Sequence, residues 1–258
     1  MTTTRELRRL SAGQVDIWCC ATDDPRIKAK LHAYLQWLSP AEQEEYEQRQ
    51  HAGQAEDYLA GRAFLRSVLS EYVDVAPEDL RFEINGYGKP SLAEHQQSLS
   101  FNAAHTHGLT LCAVTNGADV GVDVEFQTDS TGMLDAADDY LSDCELAALK
   151  DVDSDGQLAA FFRSWTLKEA YLKARGEGLS IPLHNFSVLL DGMQVKRLDA
   201  EDADRWELRI LAQDDDFTAA IAFAGKINKI NAFRCIPKVE YKELASLQDI
   251  LPSAARRA

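Results

Sequence analysis

The chain has 258 residues, 45% of them apolar, and a formal net charge of −15. That length suits one large domain or two compact ones, and the apolar content supports a real core and excludes a disordered chain. The acidic balance argues against a general nucleic-acid binder, which needs a basic surface to displace phosphate counterions; it leaves room for one anionic ligand where lysines and arginines converge. No apolar run approaches the length that spans a bilayer, and the opening MTTTRELRRL has no apolar signal segment. The five cysteines show no CxxC pair and no zinc spacing, which fits reduced, structural thiols in a cytoplasmic protein.

In chain order, QVDIWCC (14–20) reads as a strand. SPAEQEEYEQ (39–48) opens a helix, with Ser39 as N-cap, Pro40 at the first position and acids in the first turn. AEDYLAGRAFLRSVLSEY (55–72) is an amphipathic helix whose stripe is Gly61, Phe64, Leu65, Val68 and Tyr72, flanked by Arg62 and Arg66. LRFEI (80–84) is a short strand ahead of the loop NGYGKP (85–90). LTLCAV (109–114) and DVGVDVEF (119–126) flank Asn116-Gly117, a hairpin signal. SDCE starts a helix with Ser142 and Glu145 as a capping box. A longer helix covers 157–175 and ends at Gly176 and Gly178. From FSVLL (186–190) to INAFRC (230–235) the pattern is mostly strands, and the tail after Pro237 is a short helix or a frayed end. Both halves mix helix and strand, an α+β class, with a boundary at 116 dividing 1–116 from 117–258.

The stretch GVDVE (121–125) carries the first chemical signal. Strand side chains alternate, so Val122 and Val124 face one way and Asp123 and Glu125 the other. Two acids on one face repel unless a cation lies between them, and Mg²⁺ prefers carboxylate oxygens. The competing reading is an exposed face of an edge strand. The helix LAAFFRSWTLKEAYLKARG (158–176) shifts the balance. Its apolar stripe is Leu158, Phe161, Phe162, Trp165 and Leu172, and Glu169 falls on that stripe between the last two. Buried carboxylates are paired, protonated or metal-bound, so the three acids are candidates to meet at one ion. Lys173, four residues after Glu169, is either an ordinary helix pair or a phosphate-holding cation beside that ion. Lys168 and Arg175 are expected to add positive charge nearby. Trp165 and Phe161 read as core, and the run Asp214-Asp215-Asp216 as a solvated loop.

The ordered set YGKP, FNAAHT, GVDVE and WTLKEAYLKARGEGLSIPL resembles the phosphopantetheinyl transferases of the surfactin-activating (Sfp) type. Those carry a GKP loop, F-N-x-S-H, G-[IV]-D-[IVL]-E and W-x-x-K-E-[AS]-x-x-K, and AGRAFLR (60–66) extends the likeness upstream. The resemblance implies two similar α/β halves with pseudo-twofold symmetry, each a small antiparallel sheet packed with helices, and coenzyme A bound between them. It implies transfer of the 4′-phosphopantetheine arm of coenzyme A to a serine of an apo acyl- or peptidyl-carrier protein, with adenosine 3′,5′-bisphosphate leaving. Asp123, Glu125 and Glu169 correspond to the Mg²⁺ carboxylates. Glu169, directly or through a water, is the expected base, and Lys173 neutralises phosphate charge. Lys89 and Pro90 of the GKP loop, His105 and Arg62 correspond to ligand contacts, Arg62 at the 3′-phosphate. Arg66 reads as structural and His107 as surface.

Two departures stand out. Ala104 replaces the family's serine, with Thr106 as a candidate substitute, and the stretch with Glu42, Glu44 and Glu45 is acidic where some members have lysines. The implied partners are coenzyme A and a carrier of fatty-acid, polyketide or nonribosomal-peptide synthesis. No nucleic acid or membrane is expected, and two fused halves suit a monomer. A Mg²⁺-dependent phosphohydrolase and a non-catalytic carrier-binding relative are the alternatives.

Overall fold

Alternating apolar residues build two sheets, and each sheet is covered by one long helix. The structure, a computed structural model, describes residues 6–93, 99–128 and 132–252. Residues 1–5 of the N-terminal stretch and 253–258 of the tail lie outside these. The first elements are β1 (Gln14–Ala21), the short helices α1 (Pro25–Lys28) and α2 (Leu31–Tyr34), α3 (Pro40–Gln50) and α4 (Ala55–Leu69). Next come β2 (Phe82–Ile84), β3 (Pro90–Leu92), β4 (Ser100–Thr106), β5 (Leu109–Thr115) and β6 (Val120–Phe126). The helices α5 (Asp143–Lys150) and α6 (Ser154–Arg175) follow, then β7 (Ser187–Asp191) and β8 (Gln194–Asp199). The last strands are β9 (Trp206–Gln213), β10 (Phe217–Ala224), β11 (Lys229–Ile236) and β12 (Glu240–Glu243).

The first sheet has the order β12-β11-β1-β5-β4 and the second β6-β10-β9, with β2-β3 and β7-β8 as separate ribbons. All these pairs are antiparallel except β1 with β11, which is parallel. The mixed α+β class holds. The chain passes residue 116 into the second sheet and then returns, so β11 and β12 complete the first sheet from the C-terminal segment.

The expected hairpin around Asn116-Gly117 is corrected. Gly117 turns the chain with φ 80°, but β5 is already paired on both edges, by β1 and β4, so β6 pairs with β10 instead. The true hairpin joins β4 to β5 through His107 and Gly108, where Gly108 adopts φ 67°. The tail forms β12 and a short 3₁₀ turn, Leu247–Ile250. Helix α4 ends at Leu69, before Tyr72, which is still buried and links Trp18 to Asp16 through its hydroxyl.

Each lobe repeats one plan. In the first, Ser39 and Glu42 form the capping box of α3, and Glu42 pairs with Arg62 and Arg66 on α4. In the second, Ser142 and Glu145 form the capping box of α5, and Glu145 pairs with Lys168 on α6. A capping-box glutamate thus clamps a short helix to the long one in both lobes. Arg66 also donates to Pro77 O and Leu80 O, at 2.8 and 3.0 Å, so it is structural as expected.

The lobes share a core in which Val15, Ile17 and Leu111 meet Val122, Val124 and Ile221. Between β4 and β6, side chains replace the backbone ladder. Asn102 Oδ1 accepts the Val122 N–H at 2.9 Å, and Thr106 Oγ1 accepts the Phe126 N–H at 3.1 Å. Thr106, the candidate substitute for the missing serine, therefore serves the junction of the lobes.

Candidate active site

The site grows from the contact of α6 with β6. Helix and strand approach closely because residue 121 is glycine. A Cβ there would lie 2.0 Å from Ala170 O and 2.3 Å from Ala174 N, both helix backbone that no rotamer change can move. Gly121→Ala is accordingly expected to cost about 1–3 kcal/mol by overpacking and to push α6 off the strand. Urea denaturation reads the stability loss, and an assay of the same variant reads the loss of site alignment.

With the two elements in contact, Val122 and Val124 enter the core and Asp123 and Glu125 face α6, as the strand alternation predicts. Asp123 is buried at 2% exposure, and its Oδ1 accepts from the Lys173 ammonium. Its Oδ2 is buried with no hydrogen-bond partner. Glu125 is half-buried, and its Oε1 accepts the Trp165 indole N–H at 3.0 Å. Burial raises the Asp123 carboxyl above the usual carboxylate range, against the pull of Lys173. Burial, then the neighbouring Asp123, pushes Glu125 up to about 7. Glu169 is raised by burial and by Asp123. Burial would lower Lys173, but Asp123, Glu169 and Glu125 outweigh it and hold the ammonium above its ordinary value. Three acids and one lysine thus interact at one place, and burial disfavours the charged form of each acid.

This cluster fits a hard divalent cation by its oxygen-only donor set and by the orphaned, buried Asp123 Oδ2. Among the described residues, no three His, Cys, Asp or Glu side chains are close enough to hold an ion as they stand. Side chains of the cluster must close on an ion for all three acids to share it.

Two expected neighbours are elsewhere. Lys168 is fully buried on the other side of α6, paired with Glu145 and donating to Leu183 O and Tyr140 O at 2.9 and 3.2 Å. Arg175 pairs with Glu177 and Asp202. Consecutive helix positions diverge by about a quarter turn, which separates Lys168 from Glu169. Asp214 caps its own turn by accepting from the Asp216 and Phe217 N–H groups, consistent with a loop role for the acidic run.

Beside the acids lies a cavity of about 540 Å³, lined among others by Arg49, Tyr58, Arg62, Pro90, His105 and Thr106. It gathers three of the ligand residues, Arg62, Pro90 and His105. His105 sits exposed at the cavity and links it to the acids: desolvation by the surrounding chain, then the Lys173 ammonium, lower its imidazole below the usual range. His107, expected at the surface, is exposed and also lines the cavity, with its ring 5.6 Å from that of Phe126. Lys89 points elsewhere, donating to Ala174 O at 2.8 Å and Val120 O at 3.2 Å, and so pins the GKP loop to the end of α6 and the start of β6. Asn85 adds a bond to Gly176 O at 2.8 Å, where Gly176 closes the helix in a left-handed conformation. A larger surface groove, about 840 Å³, lies by β12 and the β9–β10 turn, and none of the site residues lines it.

Glu42 explains how the acidic stretch coexists with Arg62. Burial alone would raise its pKa, but Arg62, the Ser39 N–H and Arg66 outweigh that and hold it below the ordinary range. A carboxylate lowered in the folded state stabilises above its unfolded pKa and loses that contribution as pH falls through the folded one. Denaturant titrations between about pH 5 and pH 2 are therefore expected to show a steeper stability loss in the native chain than in Glu42→Gln.

Trp165 packs against the apolar clusters as the core reading expects, and its indole N–H in addition reaches Glu125. It stands four residues before Glu169, as Lys173 stands four after, so all three share one helix face.

Comparison with known proteins gives the family. The profile of the 4′-phosphopantetheinyl transferase superfamily matches residues 119–222, and that of the 4′-phosphopantetheinyl transferase N-terminal region matches 25–116. The 4′-phosphopantetheinyl transferase HetI of Nostoc is 31% identical over 218 residues, covering 84% of this chain and 90% of its own. The 4′-phosphopantetheinyl transferase Sfp of Bacillus subtilis is 30% identical over 168 residues, 65% of this chain and 73% of its own. The 4′-phosphopantetheinyl transferase psf-1 of Bacillus pumilus is 32% identical over 147 residues, 56% and 61% respectively.

Proposed function

The chain belongs to the 4′-phosphopantetheinyl transferase superfamily, and from that premise we propose how its own residues perform the reaction. It transfers the 4′-phosphopantetheine arm of coenzyme A to a carrier protein. The carrier serine Oγ bonds to the phosphorus of the phosphopantetheine phosphate, and the bond from that phosphorus to the oxygen of the adenosine 5′-phosphate breaks. Adenosine 3′,5′-bisphosphate leaves with the electron pair, and the serine proton must be taken up.

Glu169 is the residue for that proton. It lies on the α6 face turned to β6, in the cluster with Asp123 and Lys173, where a base can be brought within hydrogen-bond reach of the serine hydroxyl. Lys173 carries charge to the reacting phosphate by exchanging Asp123 for a phosphate oxygen. Asp123, Glu125 and Glu169 would hold Mg²⁺. When bound, that ion supplies charge neutralisation at the pyrophosphate and at the developing leaving group. The single observation that carries this reading is the buried, unpartnered Asp123 Oδ2 in a cluster with Glu125, Glu169 and Lys173.

The 540 Å³ cavity is the place for the nucleotide end, with Arg62 and His105 as phosphate contacts and Pro90 as a wall. Arg62 suits a phosphate because its planar fork binds two oxygens at once, though it must share itself with Glu42. Lys89 supports the ligand by fixing the loop. The half 1–116 supplies the nucleotide side and the half 117–258 the metal side, with 117–258 also returning β11 and β12 to the first sheet. The carriers are those of fatty-acid, polyketide or nonribosomal-peptide synthesis, and the enzyme works as a cytoplasmic monomer. Among the described residues no helix is long and apolar enough to cross a membrane.

Incubation with coenzyme A, Mg²⁺ and apo carriers, read by intact-mass spectrometry, tests this. The carrier is expected to gain one phosphopantetheine. Removing divalent ions with a chelator is expected to slow loading by about 100-fold or more, with Mg²⁺ restoring it. Release of inorganic phosphate with no mass gain on any carrier contradicts the reading and favours hydrolysis.

A further inference from the structure

The carboxylates facing α6 are each tied on one side. Asp123 gives Oδ1 to Lys173 and keeps Oδ2 buried without a partner. Glu125 gives Oε1 to the Trp165 N–H at 3.0 Å. The two donors stand symmetrically about Glu169, four residues before it and four after. Trp165 cannot drift, because its ring stacks on Phe161 at 6.2 Å and meets the edge of Tyr140 at 4.7 Å. A buried indole N–H ordinarily finds an acceptor, as Trp18 finds Tyr72 and Trp206 finds Asp202; what sets Trp165 apart is that its acceptor is an acid of the site.

We propose that Trp165 is a positioning residue for the metal cluster: its indole N–H fixes one oxygen of Glu125 and so dedicates the other to the cation shared with Asp123 and Glu169. Glu125 then ligates through one oxygen, with its rotamer chosen by the helix rather than by the strand that carries it. The inference rests on the Mg²⁺ reading of the acid cluster. It separates the tryptophan of the W-x-x-K-E pattern from the core residues around it, because its effect runs through Glu125 alone.

The test is binding of Mn²⁺, as a spin-active substitute for Mg²⁺, to full-length protein with coenzyme A present. Trp165→Phe keeps the ring and removes the donor. A dissociation constant raised about tenfold is expected, and the loss should vanish when Glu125 is already alanine. An unchanged constant in a folded Trp165→Phe variant, or an equal loss with and without Glu125, overturns the proposal. Failure of the native chain to bind Mn²⁺ overturns the Mg²⁺ reading itself, a separate result. A second measurement needs no tryptophan variant. Of the four tryptophan indole N–H resonances, one is expected to shift both on Glu125→Ala and on adding Mg²⁺. If no indole resonance responds to Mg²⁺, the positioning role is overturned.

Discussion

Glu169→Gln is expected to slow carrier loading by about 10²–10⁴-fold, the range that a positioned general base contributes. The substitution keeps the size and hydrogen-bonding shape of the side chain and removes its capacity to take a proton. It also weakens one oxygen donor to the cation, so the upper part of the range applies if both roles are lost together. The fold should survive, because Glu169 is raised by burial and by Asp123, and a neutral side chain relieves both. Its melting temperature should therefore equal or exceed that of the native chain. Single-turnover loading with saturating coenzyme A checks the rate, and thermal denaturation checks the fold. A variant that loads carriers at the native rate removes Glu169 from the mechanism.

The second large effect is on stability and lies about a quarter turn away on the same helix. Lys168→Met is expected to destabilise the protein by about 3–5 kcal/mol, because it strands the Glu145 carboxylate in the interior. Glu145 keeps the Val188 N–H, at 2.8 Å on Oε1, and the Ser142 N–H on Oε2, so the loss falls toward the lower end. The lysine also holds Leu183 O and Tyr140 O, and those carbonyls lose a donor. Adding Glu145→Gln to Lys168→Met should recover part of the loss by removing the buried charge, while the single glutamine oxygen accepts from only one of the Val188 and Ser142 N–H groups. Chemical denaturation of both variants reads this directly. Equal stability of Lys168→Met and the native chain contradicts a clamping role for the pair.

Much of this architecture is legible in residue pattern, for reasons that are local. Both capping boxes, Ser39 with Glu42 and Ser142 with Glu145, follow from side chains that bond within one turn. The placement of Asp123 and Glu125 on one face of β6 follows from strand alternation, and that of Glu169 from helical spacing. What pattern does not carry is the choice of partner over long range. The Asn116-Gly117 turn is real, yet β5 was already enclosed by β1 and β4, which a hairpin signal cannot register. The return of β11 to pair in parallel with β1 joins residues more than two hundred positions apart. Lys168 illustrates the same limit, because its partner is the capping glutamate of a preceding helix, and adjacency to Glu169 in sequence says nothing of direction. Trp165 was hidden differently: its spacing marks it as apolar stripe, and only the strand opposite gives its N–H an acceptor.

Gly121 ties these levels together. Its missing side chain lets α6 settle on β6, which brings Glu169 and Lys173 to Asp123 and Glu125. The first residue of GVDVE thus serves the last ones.

On the proposed mechanism, Asp123, Glu125 and Glu169 would form one cation site that serves the phosphates of coenzyme A. Electron paramagnetic resonance counting of bound Mn²⁺ tests it most directly. One tight ion per chain is expected in the presence of coenzyme A, lost on Asp123→Ala. Mn²⁺ binding that persists undiminished in Asp123→Ala would contradict it.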